Sequence, residues 1–116
     1  MARQPEYDIS MEEIHHTQKK DAPSGTAISL ADQVLKQVVR KTKWVNQPSQ
    51  NMQELFISSK RIDPAPGTHS VKYSSAVDDI EIIHTAHSRG GFALGAVLAA
   101  EFIHNKKGMF SMQDVL

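Results

Sequence analysis

The sequence predicts an α+β fold in which a four-stranded, mixed or antiparallel sheet carries two helices packed on one face. Two observations support this prediction. Several short segments alternate apolar and polar residues with a period of two, and two other segments repeat apolar residues at helical spacing. The segments follow one another as strand, helix, three strands, helix. Because short connections join the three later strands, we expect them to form an antiparallel meander that the first strand completes.

Four segments are predicted to be strands. In the first, residues 7–14, the apolar residues Tyr7, Ile9 and Met11 alternate with polar ones, which is typical of a half-buried strand. Residues 43–53 are rich in Asn, Gln, Pro and Ser and are predicted to form a loop. The remaining strands are predicted at residues 54–62, 68–76 and 79–87.

Two helices are predicted from the spacing of apolar residues. The first begins after Ser24, whose hydroxyl is a favourable N-cap acceptor, and ends near Arg40 or Lys41. Its apolar face consists of Ala27, Leu30, Ala31, Val34, Leu35 and Val38. The second opens at Gly90 and Gly91 and is apolar around most of its circumference, so we expect it to be largely buried.

The composition is that of an ordinary globular domain of 116 residues. Thirteen basic residues balance thirteen acidic ones, which argues against a nucleic-acid or membrane-surface binder that relies on bulk charge. The chain has no cysteine, which excludes a disulfide framework and a thiolate nucleophile. No apolar run is long enough to span a bilayer, and no signal-peptide pattern is present. We therefore expect a cytoplasmic protein.

Residues 13–27 contain two histidines, two lysines and an aspartate directly before the start of the first helix. The first amides of a helix lack partners and lie at the positive end of its dipole, so Gly25 and Thr26 could hold a carboxylate or a phosphate. The adjacent lysines and histidines could supply a positive charge or a proton. An ordinary helix cap beside solvated lysines would produce the same pattern, so the residues alone leave both interpretations open.

The same segment, E-I-H-H-T-Q-K-K-D-A-P-S-G-T-A, resembles the signature of dihydrodipicolinate reductases, which is roughly E-x-H-H-x-x-K-x-D-x-P-S-G-T-A. Every fixed position is filled. The stretch H-T-A-H-S-R-G-G-F-A-L-G-A, which begins at His84, is similar to the family's later block H-x-A-x-S-R-x-x-F-A-x-G-A. The end of the chain from Gly108 is similar to the family's C-terminal stretch. The resemblance covers nearly the whole chain and implies a fold like the C-terminal domain of two-domain dehydrogenases.

The resemblance also implies an activity and a set of site residues. Members of this family reduce a cyclic imine dicarboxylate with NADH or NADPH, on the diaminopimelate route to lysine, and assemble as homotetramers through this domain's sheet. By motif position, His15 resembles the general acid/base, Lys19 the proton donor and His16 a substrate-binding histidine. Gly25 and Thr26 match the backbone site for a substrate carboxylate.

The cofactor, metal and partner expectations follow from what the sequence lacks. Its glycines do not form a dinucleotide-binding fingerprint, so we expect the nucleotide to be bound mainly by an N-terminal Rossmann domain absent from this chain, and the chain alone to be inactive. No metal site is expected without cysteine or a helical histidine pair. Arg89 could reach substrate or cofactor, but we favour an ion pair within the domain. The alternative function is a non-catalytic module that assembles copies of itself.

Overall fold

The computed structural model describes residues 1–116, which form two compact units, Met1–Thr85 and Ala86–Leu116. The first unit contains β1 (Asp8–His15), α1 (Gly25–Gln37), β2 (Lys43–Val45), β3 (Glu54–Arg61), β4 (Gly67–Ser74) and β5 (Asp79–Ala86), which ends at the boundary. The second contains α2 (Gly90–Ile103) and α3 (Met112–Val115). The predicted α+β class is confirmed, with five strands in place of four.

The strands form one mixed sheet in the order β2-β3-β1-β4-β5. β1 lies at the centre, parallel to β3 and antiparallel to β4. The predicted meander is wrong, because β1 separates β3 from β4. Parallel neighbours need a crossover connection, and α1 provides it between β1 and β3. The loop predicted at residues 43–53 is also partly wrong, since Lys43–Val45 pairs with the start of β3 as an edge strand.

The hydrophobic core lies between α1 and one face of the sheet. On β1, Ile9 and Met11 are buried while the residues between them are partly exposed, as the period of two predicts. The remaining core residues are Ala27, Ala31, Val34, Val38, Leu55, Ile57 and Val71. Ser24 is the N-cap of α1, as predicted, and its hydroxyl accepts a hydrogen bond from the Ala27 amide at 3.2 Å.

The opposite face of the sheet is open and mostly polar. Phe56 lies on this face, since it alternates with the buried residues Leu55 and Ile57. The other residues that line its shallow central depression are Ser10, Met11, Glu12, Ser58, Lys60, Ser70, Lys72 and Glu81. β5 at the edge of the sheet is exposed along nearly its whole length.

Within the second unit, α2 has no buried residue. Large apolar side chains such as Phe92 and Leu94 are more than half exposed, at 52% and 59%. The prediction that this helix is largely buried is therefore wrong for this chain. A helix that is apolar on all sides needs neighbours on all sides, and its own unit supplies only the short α3 and the segment before it. No helix of the structure is both long enough and apolar enough to cross a bilayer.

Candidate functional site

The predicted site at residues 13–27 lies where the carboxyl ends of two parallel strands meet the start of α1. β1 ends at His15 and β3 at Arg61, and these two residues are register partners. On the other side of β1, Glu13 is opposite His69 near the start of β4. Ligands of open α/β sheets bind outside the carboxyl ends of parallel strands. The topology therefore places these side chains where a ligand is expected.

The Glu13 carboxylate is the centre of a buried polar cluster, with 0% of the residue exposed. Its Oε2 accepts hydrogen bonds from the backbone N–H of Ser24 at 2.9 Å and from the Ser24 hydroxyl at 2.5 Å. Its Oε1 accepts one from the Arg61 guanidinium at 3.0 Å. Burial raises the pKa of Glu13, but the hydrogen bonds from Ser24 and Arg61 outweigh it and hold the pKa below its ordinary value. The carboxyl group is therefore ionised at neutral pH.

Ser24 connects this carboxylate to α1 and to His69. The hydroxyl donates its one proton to Glu13 and accepts a hydrogen bond from the Ala27 amide. Nε2 of His69 lies 3.3 Å from the same oxygen. A hydroxyl has one donor and two acceptor positions, so His69 must be the donor in this contact. The arrangement assigns the proton of the neutral His69 ring to Nε2.

His15 lies beside the carboxylate without a hydrogen bond to it. Its Nδ1 is 3.9 Å from Oε2 of Glu13, beyond hydrogen-bonding distance. This Nδ1 is the one buried side-chain nitrogen or oxygen of the chain without a partner. The ring packs edge-on against His69, with centroids 5.0 Å apart. Burial lowers the pKa of His15, and the attraction of Glu13 opposes this only in part. A neutral imidazole of this kind can take up and release a proton.

Lys19 lies in the loop from β1 to α1, whose backbone is fixed at two points. Arg61 donates from Nε to the Lys19 carbonyl at 3.3 Å and from Nη2 to the Asp21 carbonyl. The N–H and hydroxyl of Thr17 bind the Asp63 carboxylate at 2.8 and 2.6 Å. The Lys19 ammonium pairs with the Asp21 carboxylate at 3.0 Å. The Lys19 side chain is partly exposed, and its acidic partner Asp21 is mostly exposed.

Gly25 and Thr26 form the exposed first turn of α1, and their backbone N–H groups donate to no protein acceptor. A side chain added at Gly25 would meet no atom within 4 Å, so the space in front of the helix is open. His16 is half-buried on the preceding loop. Two unpaired amides at the positive end of a helix dipole are a favourable site for an anion.

Comparison with known proteins identifies the family. The family model described as "Dihydrodipicolinate reductase, C-terminus" matches residues 1–116. The chain belongs to the dihydrodipicolinate reductase family. It is 52% identical over 111 residues to the 4-hydroxy-tetrahydrodipicolinate reductase of Christiangramia forsetii, and 43% identical over 115 residues to that of Methanosarcina barkeri. Both alignments cover 96% of this chain but only 46% and 43% of the relatives, so the chain spans about half of their length.

The fold of this chain is similar to a solved structure, the dipicolinate-bound dihydrodipicolinate reductase from Paenisporosarcina sp. TG-14. The TM-score is 0.67 at 22% sequence identity, and the match covers 99% of this chain and 46% of the other. Identity this low establishes a shared fold. The fold class implied by the family resemblance is thereby confirmed.

Three residues of the cluster received no role from the sequence. Glu13 is the first fixed position of the reductase signature, while Arg61 and His69 lie outside that segment. The sequence did contain a signal for Glu13, because the alternation that buries Ile9 and Met11 continues to Glu13 and His15. A charged residue in the buried phase of a strand indicates a compensated polar site. Arg61 and His69 could not be assigned without knowing which strands flank β1.

A metal fits this cluster poorly. Glu13, His15 and His69 offer ligand atoms that all lie within 4.8 Å of one another. The Glu13 oxygen is, however, 3.9 Å from Nδ1 of His15 and 4.0 Å from Nε2 of His69. Bonds of about 2.0–2.1 Å in a tetrahedral zinc site place ligand atoms nearer to each other than this. Binding would also displace the Ser24 hydrogen bonds, so the cluster is better described as a hydrogen-bonded network.

Within the second unit, Arg89 does not form the ion pair that the sequence analysis favours. It lies at the N-cap of α2 without a capping side-chain hydrogen bond, and the salt bridges of the chain involve other residues.

The buried histidines predict how stability depends on pH. Burial lowers the pKa of His15 and of His69 below the ordinary value of 6.5, and for His69 the neighbouring His15 adds to this. As the pH falls through that ordinary value, the unfolded chain binds these protons before the folded one does. We expect the free energy of unfolding, measured with urea, to decrease between about pH 7 and pH 5 by about 1.4 kcal/mol for each unit of pKa depression.

A pair of matched variants tests the source of this slope. His69→Gln should make it shallower, because one buried titrating group is lost. His87→Gln changes an exposed histidine and should leave the slope unchanged. An unaltered slope in the His69 variant would contradict the assignment.

Proposed function

We propose that this domain binds the dicarboxylate substrate and supplies the proton in the NAD(P)H-dependent reduction of a cyclic imine, 4-hydroxy-tetrahydrodipicolinate, as part of a longer cytoplasmic enzyme. The observation that carries this proposal is the pair of unpaired amides of Gly25 and Thr26 at the end of the sheet that also presents Lys19 and His15. The family and the dipicolinate named for the Paenisporosarcina reductase support the same class of ligand.

The chemistry of the reduction explains why these residue types are needed. Hydride adds to the carbon of the C=N bond, the bond's electron pair moves to nitrogen, and that nitrogen must gain a proton. We assign the proton donation to the Lys19 ammonium, which becomes a neutral amine. His15 serves as the acid/base beside it, and His16 contacts the substrate. The amides of Gly25 and Thr26 hold one substrate carboxylate, which suits the positive end of the α1 dipole.

The nicotinamide dinucleotide supplies the hydride when it is bound. The residues of this chain do not fit a dinucleotide site, because the loop from β1 to α1 contains no glycine before Gly25, at the helix start. Dinucleotide folds place several closely spaced glycines in such a loop, where the backbone approaches the pyrophosphate. We therefore propose that another part of the longer enzyme binds most of the nucleotide, and we expect the 116-residue chain alone to show no turnover.

Lys19→Ala in the full-length enzyme tests the assigned chemistry. Loss of the proton donor should lower kcat by about 100- to 10,000-fold, measured as NADPH oxidation in the presence of the imine. Lys20→Ala removes the same charge from the neighbouring residue, which is exposed, and should stay within about twofold of the wild type. A Lys19 variant with normal kcat would exclude the assignment.

We further propose that the domain assembles as a homotetramer through the open face of its sheet. Phe56 lies on this mostly polar face, and on the adjacent edge strand the exposed residue Ile83 shares this face with Glu81. Assembly alone is also the alternative function, which the Lys19 experiment distinguishes from catalysis.

Sedimentation of the full-length enzyme tests the assembly. Phe56→Glu should shift the tetramer to smaller species, because a charge would enter an apolar contact. Val39→Glu, at a site that is 84% exposed after α1, should not. A monomeric wild type, or a tetrameric Phe56 variant, would overturn the proposal.

A further inference from the structure

We propose that Glu13 is a positioning residue of the reduction, whose carboxylate fixes both the orientation of His15 and the start of α1 that binds the substrate carboxylate. The inference rests on the proposed function and adds a role for a side chain that touches neither substrate nor cofactor. One carboxylate reaches both halves of the proposed site, the proton-transfer side chain on β1 and the free amides on α1.

The first half of the inference concerns α1. Both the N–H and the hydroxyl of Ser24 bind Oε2 of Glu13, so the residue directly before Gly25 is held from two directions. The Ser24 hydroxyl also accepts a hydrogen bond from the Ala27 amide. The amides of Gly25 and Thr26 are therefore the free donors of the first turn. The position of these two donors therefore depends on the Glu13 carboxylate.

The carboxylate itself cannot rotate freely. Arg61 on β3 holds Oε1 at 3.0 Å while Ser24 holds Oε2. Arg61 also binds the carbonyls of Lys19 and Asp21, so the same guanidinium fixes the loop that carries the proposed proton donor. The Glu13 carboxylate is therefore held in one position relative to Ser24 and Arg61.

The second half concerns the proton on His15. The charged or titratable groups that act on its ring are Glu13 on the same strand, His16 and Lys19 in the loop, Arg61 on β3 and His69 on β4. Only Glu13 is negative, and it lies on the Nδ1 side at 3.9 Å. An N–H directed at a carboxylate in a buried site is favourable, whereas a lone pair directed at it is repelled. Nδ1 therefore carries the proton, and Nε2 is left as the group that exchanges protons with the ligand side.

Nitrogen-15 NMR of the imidazole rings in the wild-type 116-residue chain tests this without any substitution. At a pH where His15 is neutral, we expect the chemical shifts of an Nδ1–H tautomer for His15 and of an Nε2–H tautomer for His69. An Nε2–H tautomer at His15 would overturn the orienting role of Glu13. The result does not depend on whether the longer enzyme reduces an imine.

Variants of the full-length enzyme test the consequence for catalysis. Glu13→Gln removes the negative charge that raises the pKa of His15, so the limb of the kcat/KM profile set by His15 should move to lower pH. We also expect kcat/KM to fall by about 10- to 100-fold. Glu13→Asp, which keeps the charge, should restore the limb, and Glu6→Gln at an exposed glutamate should change neither quantity.

Ser24→Ala separates the two roles. It removes the hydroxyl, with its hydrogen bonds to Glu13 and from the Ala27 amide, but keeps the backbone N–H bond and the charge of the carboxylate. The Kd of pyridine-2,6-dicarboxylate should therefore rise by about tenfold while the pH limb stays in place. A folded Glu13→Gln enzyme with wild-type pH profile and wild-type dicarboxylate affinity would refute the proposal. If the wild-type enzyme itself lacks reductase activity, the proposed function fails, and the NMR result still decides the role of Glu13.

Discussion

A buried carboxylate is expensive unless its oxygens are satisfied, and the hydrogen bonds of Glu13 are the interaction on which the rest of the site depends. Ser24 supplies two donors and Arg61 a third, so a charge with no exposed surface is fully compensated. These bonds join the end of β1, the start of α1 and the end of β3. Removing any partner leaves a buried charge or donor unpaired, which is why the three elements meet in one arrangement.

The parallel pairing of β1 and β3 decides which end of the sheet can bind a ligand. The amino ends of these strands are closed by Lys41, whose buried ammonium binds Asp8 at 2.6 Å and the Glu54 carbonyl at 3.1 Å. The carboxyl ends retain the two unpaired and exposed amides that open α1, together with the Lys19 ammonium in the adjacent loop. Free amides at the positive end of a helix dipole favour an anion, so this end of the sheet is the one suited to an anionic ligand.

Local patterns in the sequence were sufficient for most elements. The alternation through Ile9 and Met11 predicted β1, and the apolar face of residues 27–38 together with Ser24 predicted α1 and its cap. The pairing of strands could not be predicted in this way. β1 lies between β3 and β4 in the sheet. This arrangement joins distant parts of the chain, and the periodicity within a single strand contains no information about it. The three residues of β2 are too few to show a period, and they are ordered by pairing with β3.

The residues of the candidate site also differ in whether the local sequence could predict them. The residues from His15 to Thr26 are contiguous, so the signature of the family marks them directly. Arg61 and His69 join them only through strand register, opposite His15 and Glu13. The burial of α2 was predicted wrongly. Apolar residues on all sides of a helix show that it needs apolar neighbours, but they do not show whether its own unit supplies them.

The central claim is that an anionic carboxylate binds at the start of α1. The most direct measurement is a titration of the nitrogen-15-labelled chain with pyridine-2,6-dicarboxylate, followed through the backbone amide resonances. We expect the largest saturable shifts at Gly25 and Thr26, with smaller ones in the loop at Lys19 and none at Lys41 on the far end of the sheet. Saturable shifts confined to other residues, with Gly25 and Thr26 unmoved, would contradict the account.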